Sequence, residues 1–482
     1  MTISEQLARE ARELTFAHLP DIVVHESKRR VLDTLACAIG GFDSRPSVIL
    51  QGLIQDLGGR AESTVYGSLY RTSCMNAALV NGVMVRFTEA MDRAIEGRDG
   101  RNQHGHPGEV IPGVIAVGER EHSSGKDVIT GIVLGYQLLN RLSYAAGGAR
   151  SIELEGMKHE IRANMIFPLV AGKLMGLTEQ QLVNAVGISG CYAGELSLLD
   201  HGLEEITMAR NLRFPYATYQ AILAALMAQR GFEGPSQVYE GHGGFNEVIL
   251  HGKIDVARLV RRDDDFNILY TSTKAFPVNG RLQGQTEALV RLVTEHRFVP
   301  EQVAGIKITT SPRVLEGMGN PSTHRYPQTK ETADHSAYFV AALVVIDGGI
   351  RLGLDQFTPQ RLQDPRVRSV IDKIELVAIP GWPIDEHAPS EVEVTMIDGT
   401  TYRCRVDYPK GHVLNPLSDA DIEEKFVGMT GRLMSEAQMR EVFRVVWNLD
   451  ELDDIGELTT TLAVKAGAHD PQARRAGKEV IA

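Results

Sequence analysis

Residues 163–190 read ANMIFPLVAGKLMGLTEQQLVNAVGISG, two apolar stretches joined at Gly176-Leu177. In the first, apolar residues recur three and four apart, the period of a buried helix over 163–176. Thr178 and Gln181 stand in capping-box positions ahead of LVNAVGISG, so a second helix follows at once. The same period runs outward on both sides. KRRVLDTLACAIGG (28–41) closes on a Gly-Gly pair, as a helix C-cap does, and YATYQAILAALMAQR (216–230) runs into Gly231. So many Ala and Gly positions imply closely packed helices. Residues 1–268 are therefore expected to form the first part of an all-helical domain.

The texture changes near residue 270. IKITTS (306–311) and IELVAI (374–379) read as short strands, and EVEVTMIDGTTYRCRV (391–406) alternates on both sides of Asp398-Gly399, a hairpin signal. Stretches 336–347 and 358–373 read as helices, which makes 269–410 an α+β unit. From Ser418 and Asp421, again in capping-box positions, the helical period returns, so 411–465 is read as the second part of the helical domain and 466–482 as a flexible tail. The expected fold is mainly α with an inserted α+β domain, a smaller lid on a large helical body. The junction of two such units is a favoured place for a small-molecule cleft.

Composition narrows the functional classes. The 482 residues include 50 basic and 62 acidic side chains, a net charge of −12, with 43% hydrophobic and 23% charged residues. Such a chain buries a large core without staples. Its acidity speaks against a generic nucleic-acid binder or a polybasic membrane-surface protein. Cys37, Cys74, Cys191 and Cys404 form no CxxC pair, so neither a disulfide scaffold nor a zinc knuckle is expected. The start, MTISEQLAREARELTF, has no signal-type apolar core, and apolar runs such as 337–346 are about half a membrane span. A cytoplasmic location is expected.

No GxxxxGKS/T, no GxGxxG after a strand, no HExxH and no GxSxG is present. What stands out is a set of polar side chains in apolar surroundings. RFTEAMDRAIEGRDGRNQHGHPGEV (86–110) gathers Glu89, Asp92, Arg93, Arg98, Asp99, Arg101, His104 and His106 in a Gly-rich stretch between two apolar helical segments. It reads either as a solvated loop or as a cleft wall on which His106, opening a helix at Pro107-Gly108, exchanges protons near neutral pH. His159 precedes the 163–176 helix, as a cap or as a site residue. Arg210 and Arg213 stand three apart, a spacing that suits a surface charge pair or a bidentate clamp on a carboxylate. Lys274 falls at the domain junction, and Asp334-His335 precede an apolar helix where His335 orients or caps.

VLDTLACAIGG (31–41), AALVNGVMVRF (77–87), HPGEVIPGVIAVGE (106–119), KLMGLTEQQLVNAVGISG (173–190), LAALMAQRGFEGP (223–235) and TADHSAYFVAALVVIDG (332–348) occur in the order and wording of one family. Through these segments, over roughly 5–455, the chain resembles the MmgE/PrpD family, which includes 2-methylcitrate dehydratase, cis-aconitate decarboxylase and iminodisuccinate epimerase. The resemblance implies a helical domain with an inserted lid, a homodimer, and a small polycarboxylate substrate with an acidic C–H beside a carboxylate. It implies that no metal or organic cofactor is used.

By position, the resemblance places His106, His159 and Lys274 in the site. Where relatives carry LDFxDT, this chain has TEAMDR (88–93): Glu89 replaces the first Asp, Asp92 keeps the second, and Arg93 replaces Thr. Arg210 stands where a Lys is common and Gln283 where a His is usual. The expected catalytic set is His159 as leading base, His106 as acid or orienting donor, Lys274 and Glu89. Arg210, Arg93, Asp92 and Gln283 are expected to bind substrate. The reaction read from this is a metal-free dehydration of a hydroxy di- or tricarboxylate. The alternatives are a decarboxylase or epimerase on the same scaffold, or a non-catalytic binding paralogue.

Overall fold

A computed structural model describes residues 1–93, 105–148, 152, 156–201, 204–260, 265–383 and 387–464. Arg98, Asp99, Arg101, His104 and the 466–482 tail lie outside them. The chain is mainly helical with a small mixed sheet. The two helices that opened the reading are Arg162–Leu174 and Glu179–Cys191, the second started by the Thr178–Gln181 capping box. Arg213–Gln229 packs against both and against Cys74–Phe87. Small residues make these crossings close. A β-carbon on Gly41, at the end of helix Asp21–Gly40, would lie 2.1 Å from the Met84 carbonyl oxygen.

Residues 390–406 form the expected hairpin, Ser390–Met396 (β3) with Thr401–Val406 (β4), closed by Asp398 accepting from Thr400 N at 2.9 Å. Val303–Thr310 (β1) pairs antiparallel with β3 and parallel with Ile374–Ala378 (β2), giving the order β2-β1-β3-β4. Helix Ala337–Asp347 is almost wholly buried beside Gln283–His296 and Pro365–Ile371. The single helix expected over 358–373 is two, Pro359–Leu362 and Pro365–Ile371. Pro365 lacks the N–H a continuing helix needs, and the Asp364 carboxylate caps a new start at Arg366 N.

Buried apolar side chains fall into two clusters, one drawn from Ile3 to Ile268 plus Leu417 to Leu462, the other from Val278 to Val406. Polar ties join them where the chain passes between. Arg93 and Ser272 exchange backbone hydrogen bonds, each 2.8 Å, and Thr273 N donates to Gly411 O at 2.9 Å. Arg30 donates to Thr273 Oγ1 at 2.7 Å and to the Thr271 carbonyl. Lys425, from helix Asp419–Thr430, donates to Asp33 Oδ1 (2.6 Å), Ala90 O (2.6 Å) and Lys274 O (2.8 Å).

Lys425→Met leaves the Asp33 carboxylate buried and unpaired, a change worth about 3–5 kcal/mol. Denaturant unfolding followed by circular dichroism should show that loss, and adding Asp33→Leu should recover part of it. An unchanged transition would show that the ammonium is not the tie.

Candidate active site

Between the two apolar clusters lies a cavity of about 400 Å³. Its wall is cationic. Arg86, Arg93, Lys158, Arg210 and Arg213 face it from the helical segments, and Arg281 and Arg313 from the sheet-containing part. Glu316 is the one carboxylate among the described residues that line it. His106, His159, His324 and His335 add four imidazoles to the same wall. Gly280 lets Arg93 pack closely where the two parts meet; a β-carbon there would lie 2.4 Å from Arg93 Cδ and push that side chain aside.

His106 precedes a short 3₁₀ turn, Pro107–Glu109, that leads into helix Val110–Glu121. Its Nδ1 lies 2.6 Å from the Asp92 carbonyl oxygen, which only accepts, so Nδ1 carries the proton and Nε2 keeps its lone pair in the neutral ring. Burial, then the positive charges of Arg86 and Lys274, hold His106 well below the usual imidazole range. It is neutral at pH 7. The Asp92 carboxylate accepts from Gly108 N at 3.0 Å and Tyr136 OH at 2.6 Å, fixing the turn that carries His106.

His159 sits at the matching point before helix Arg162–Leu174. Its Nε2 is 3.2 Å from Glu160 Oε1, an oxygen that also pairs with Arg213.

Behind the wall, Glu89 is buried in a left-handed backbone conformation (φ 52°), just past helix Cys74–Phe87. A non-glycine residue there costs on the order of 1 kcal/mol. The turn aims its carboxylate at Lys274 Nζ (2.7 Å) and Arg210 Nη1 (3.0 Å), while its carbonyl accepts from Lys274 at 2.8 Å. Burial alone would raise the Glu89 carboxyl, but Lys274 and then Arg210 hold it well below the ordinary range. Burial lowers Lys274 to about 8, with Glu89 opposing the fall. Arg210 Nη2 donates to His335 Nε2 at 2.8 Å, and His335 Nδ1 bonds Asp334, which pairs with Lys330 at 2.7 Å. His335 is thus held neutral, since a protonated Nε2 has no lone pair for Arg210; burial and then Arg210 lower its pKa.

Of the residues singled out from sequence, His106, His159, Arg210, Arg213 and Arg93 line the cavity. Lys274 and Glu89 form the buried pair behind Arg210, and Asp92 positions the His106 turn; none of these three is on the wall. Gln283 is elsewhere employed: it accepts from Ala275 N and Phe276 N, both 3.1 Å, and donates to Phe276 O and Val278 O, closing the loop after Lys274. His335, read as an orienting or capping residue, lines the cavity and also grips Arg210. Arg86, Lys158, Arg281, Arg313 and His324 were not singled out. Arg86 carried a signal, a charged residue inside the apolar run AALVNGVMVRF; the others sit in segments whose placement depends on the domain junction.

Residues 5–257 match the MmgE/PrpD N-terminal domain and residues 276–449 the MmgE/PrpD C-terminal domain, so the chain belongs to the MmgE/PrpD family. Cis-aconitate decarboxylase of Homo sapiens is 26% identical over 479 residues, covering 96% of this chain and 94% of its own. The 2-methylcitrate dehydratase of Escherichia coli O157:H7 is 23% identical over 411 residues, 79% of this chain and 80% of its own. The mitochondrial 2-methylcitrate dehydratase of Yarrowia lipolytica is 25% identical over 415 residues, with 79% and 75% covered. Among the described residues no helix is long and apolar enough to cross a membrane.

The Glu89 pair generates a prediction with a definite sign. Glu89→Gln removes the negative charge that props up the Lys274 ammonium, so Lys274 should titrate below its present value of about 8. Carbon NMR of labelled lysine side chains across pH checks this, and an upward or absent shift contradicts the pairing.

Proposed function

We propose that this protein is a lyase acting on a small hydroxy di- or tricarboxylate by removing a proton beside a carboxylate. The carrying observation is a cavity of about 400 Å³ on which seven cationic side chains converge with four imidazoles. Several fixed cations match a substrate with several carboxylates and stabilise the charge that grows on one of them as the C–H bond breaks. His106, neutral with Nε2 unprotonated, is the base in this reading, and His159 beside Glu160 is the acid. That reverses the assignment expected from sequence. In the dehydration, the C–H proton passes to His106, the C–O bond breaks, and the hydroxyl leaves as water with the proton of His159. Glu89 and Lys274 act through Arg210, holding it on the wall.

Decarboxylation is the second reading, favoured by the reach of the similarity: 96% of this chain aligns with the human decarboxylase and 79% with the dehydratases. The expected homodimer is supported by exposed apolar side chains at Tyr192, Leu196, Leu198, Tyr216 and Phe232.

The test is a panel of 2-methylcitrate, citrate, cis-aconitate and iminodisuccinate, followed by ultraviolet absorbance and by NMR in deuterated water. A new alkene from a hydroxy acid supports the hydro-lyase. Release of CO₂ from cis-aconitate moves the assignment to a decarboxylase, and deuterium entry without elimination to an epimerase. His106→Gln should lower kcat on the active substrate by about 10²–10⁴-fold. The pH profile follows from the same groups. His106 titrates below 6.5, so kcat/KM should hold as pH falls through 6.5 and drop only beneath it. Above about 8, Lys274 loses its proton, Glu89 loses a partner, and kcat/KM should fall again. An acid limb centred above 6.5 would remove His106 as base.

A further inference from the structure

Among the cations of the wall, Arg86 differs in how its donors are used. It lies in the last turn of helix Cys74–Phe87, with its side chain fully buried and facing the cavity. Nε, Nη1 and Nη2 make no hydrogen bond. The nearest carboxylate is Glu109, 3.6 Å away and beyond hydrogen-bonding distance, and both Glu109 oxygens are also without a hydrogen bond. A guanidinium presents five N–H donors in a rigid fork. Burying such a group without acceptors is costly, and folding alone gives no return on it. The arrangement makes sense when a planar, two-oxygen acceptor enters the cavity and takes the fork. By contrast, Arg210 already donates to Glu89 and His335, and Arg213 is paired with Glu160.

We propose that Arg86 binds one carboxylate of the substrate in a bidentate pair and thereby selects for the number of carboxylates the substrate carries. The inference rests on the polycarboxylate reading above and names the contact that reading leaves open. It also ties recognition to chemistry. After burial, Arg86 is the largest influence keeping the proton off His106. A carboxylate docked on Arg86 cancels that charge, so His106 becomes a stronger base once the substrate is in place. Glu109, whose carboxyl is raised by burial against the pull of Arg86, does not supply this compensation by itself.

The test uses the full-length protein and unreactive ligands in titration calorimetry: tricarballylate, which has no hydroxyl to lose, and two dicarboxylates that each lack one of its carboxylates, glutarate and methylsuccinate. Arg86→Met should weaken tricarballylate about 10–100-fold, the range for a charged hydrogen-bonded contact. It should leave unchanged the dicarboxylate that lacks the group Arg86 holds. Arg86→Met also leaves the buried Glu109 without the counter-charge 3.6 Å away, so its Tm is measured beside its affinity. Should the variant melt lower, Arg86→Lys keeps the charge without the fork and must still lose tricarballylate affinity. If wild type binds tricarballylate and both variants bind it equally well, the Arg86 assignment is overturned while the lyase reading stands. If wild type binds none of the three, both fall.

Discussion

Lys425 carries three protons on its ammonium, and each goes to a different part of the chain. One reaches the Asp33 carboxylate, one the Ala90 carbonyl in the turn after helix Cys74–Phe87, and one the Lys274 carbonyl. The site depends on this point. The turn at 88–93 carries Glu89 and Arg93 and supplies the carbonyl that orients His106; the segment at 271–274 carries Lys274. Neither stretch has regular secondary structure to hold it. Their backbone acceptors are instead taken up by cations from helices on either side, Arg30 and Lys425, so buried loop carbonyls are satisfied without a helix or sheet ladder. The C-terminal helices therefore have a defined task, to return Lys425 to the centre after the excursion through the sheet-containing part.

The same logic explains how so many cations share one cavity. Seven guanidinium and ammonium groups on a wall repel one another, and burial makes the repulsion worse. Glu89 and Glu160 relieve it from behind, each bridging a wall arginine to a second group: Arg210 to Lys274, and Arg213 to His159. These acids face the protein while the cations face the cavity, so the wall stays positive toward an entering anion. The strain stored at Glu89 fits this purpose. A residue in an ordinary helical conformation would continue the helix past Phe87 rather than turn its carboxylate back between Lys274 and Arg210.

Much of this architecture is legible in the chain because it rests on local rules. The 163–190 helices, the Thr178 and Ser418 capping boxes and the Asp398-Gly399 hairpin are set within a few residues of sequence, and each occurs where its pattern lies. The helix expected across Pro365 was misread because its apolar period runs through a residue that starts a helix but does not extend one. In the site, His106, His159 and Arg210 were visible as polar residues at helix starts. Arg281, Arg313 and His324 were not, because nothing local marks a surface arginine as facing a cavity until the junction brings it there. His335 was undervalued for a related reason: its partners, Arg210 and Glu89, lie more than a hundred residues away.

The departures from the family pattern read differently once the geometry is in view. The glutamine at 283, where a histidine is usual, closes the 275–278 loop through its amide with four hydrogen bonds, a task that needs both a carbonyl and an amino group. Imidazoles are not scarce, since His324 and His335 reach the cavity from beyond residue 278. Arginine at 210 adds a second donor direction, and both are used, one on Glu89 and one on His335; a lysine ammonium has no such planar fork. Arginine at 93 lies against glycine at 280 across the junction, where a β-carbon would displace the arginine side chain. At each of these positions the side chain present is engaged by neighbours that its own chemistry suits, so the altered charge pattern is built into the packing around the cavity.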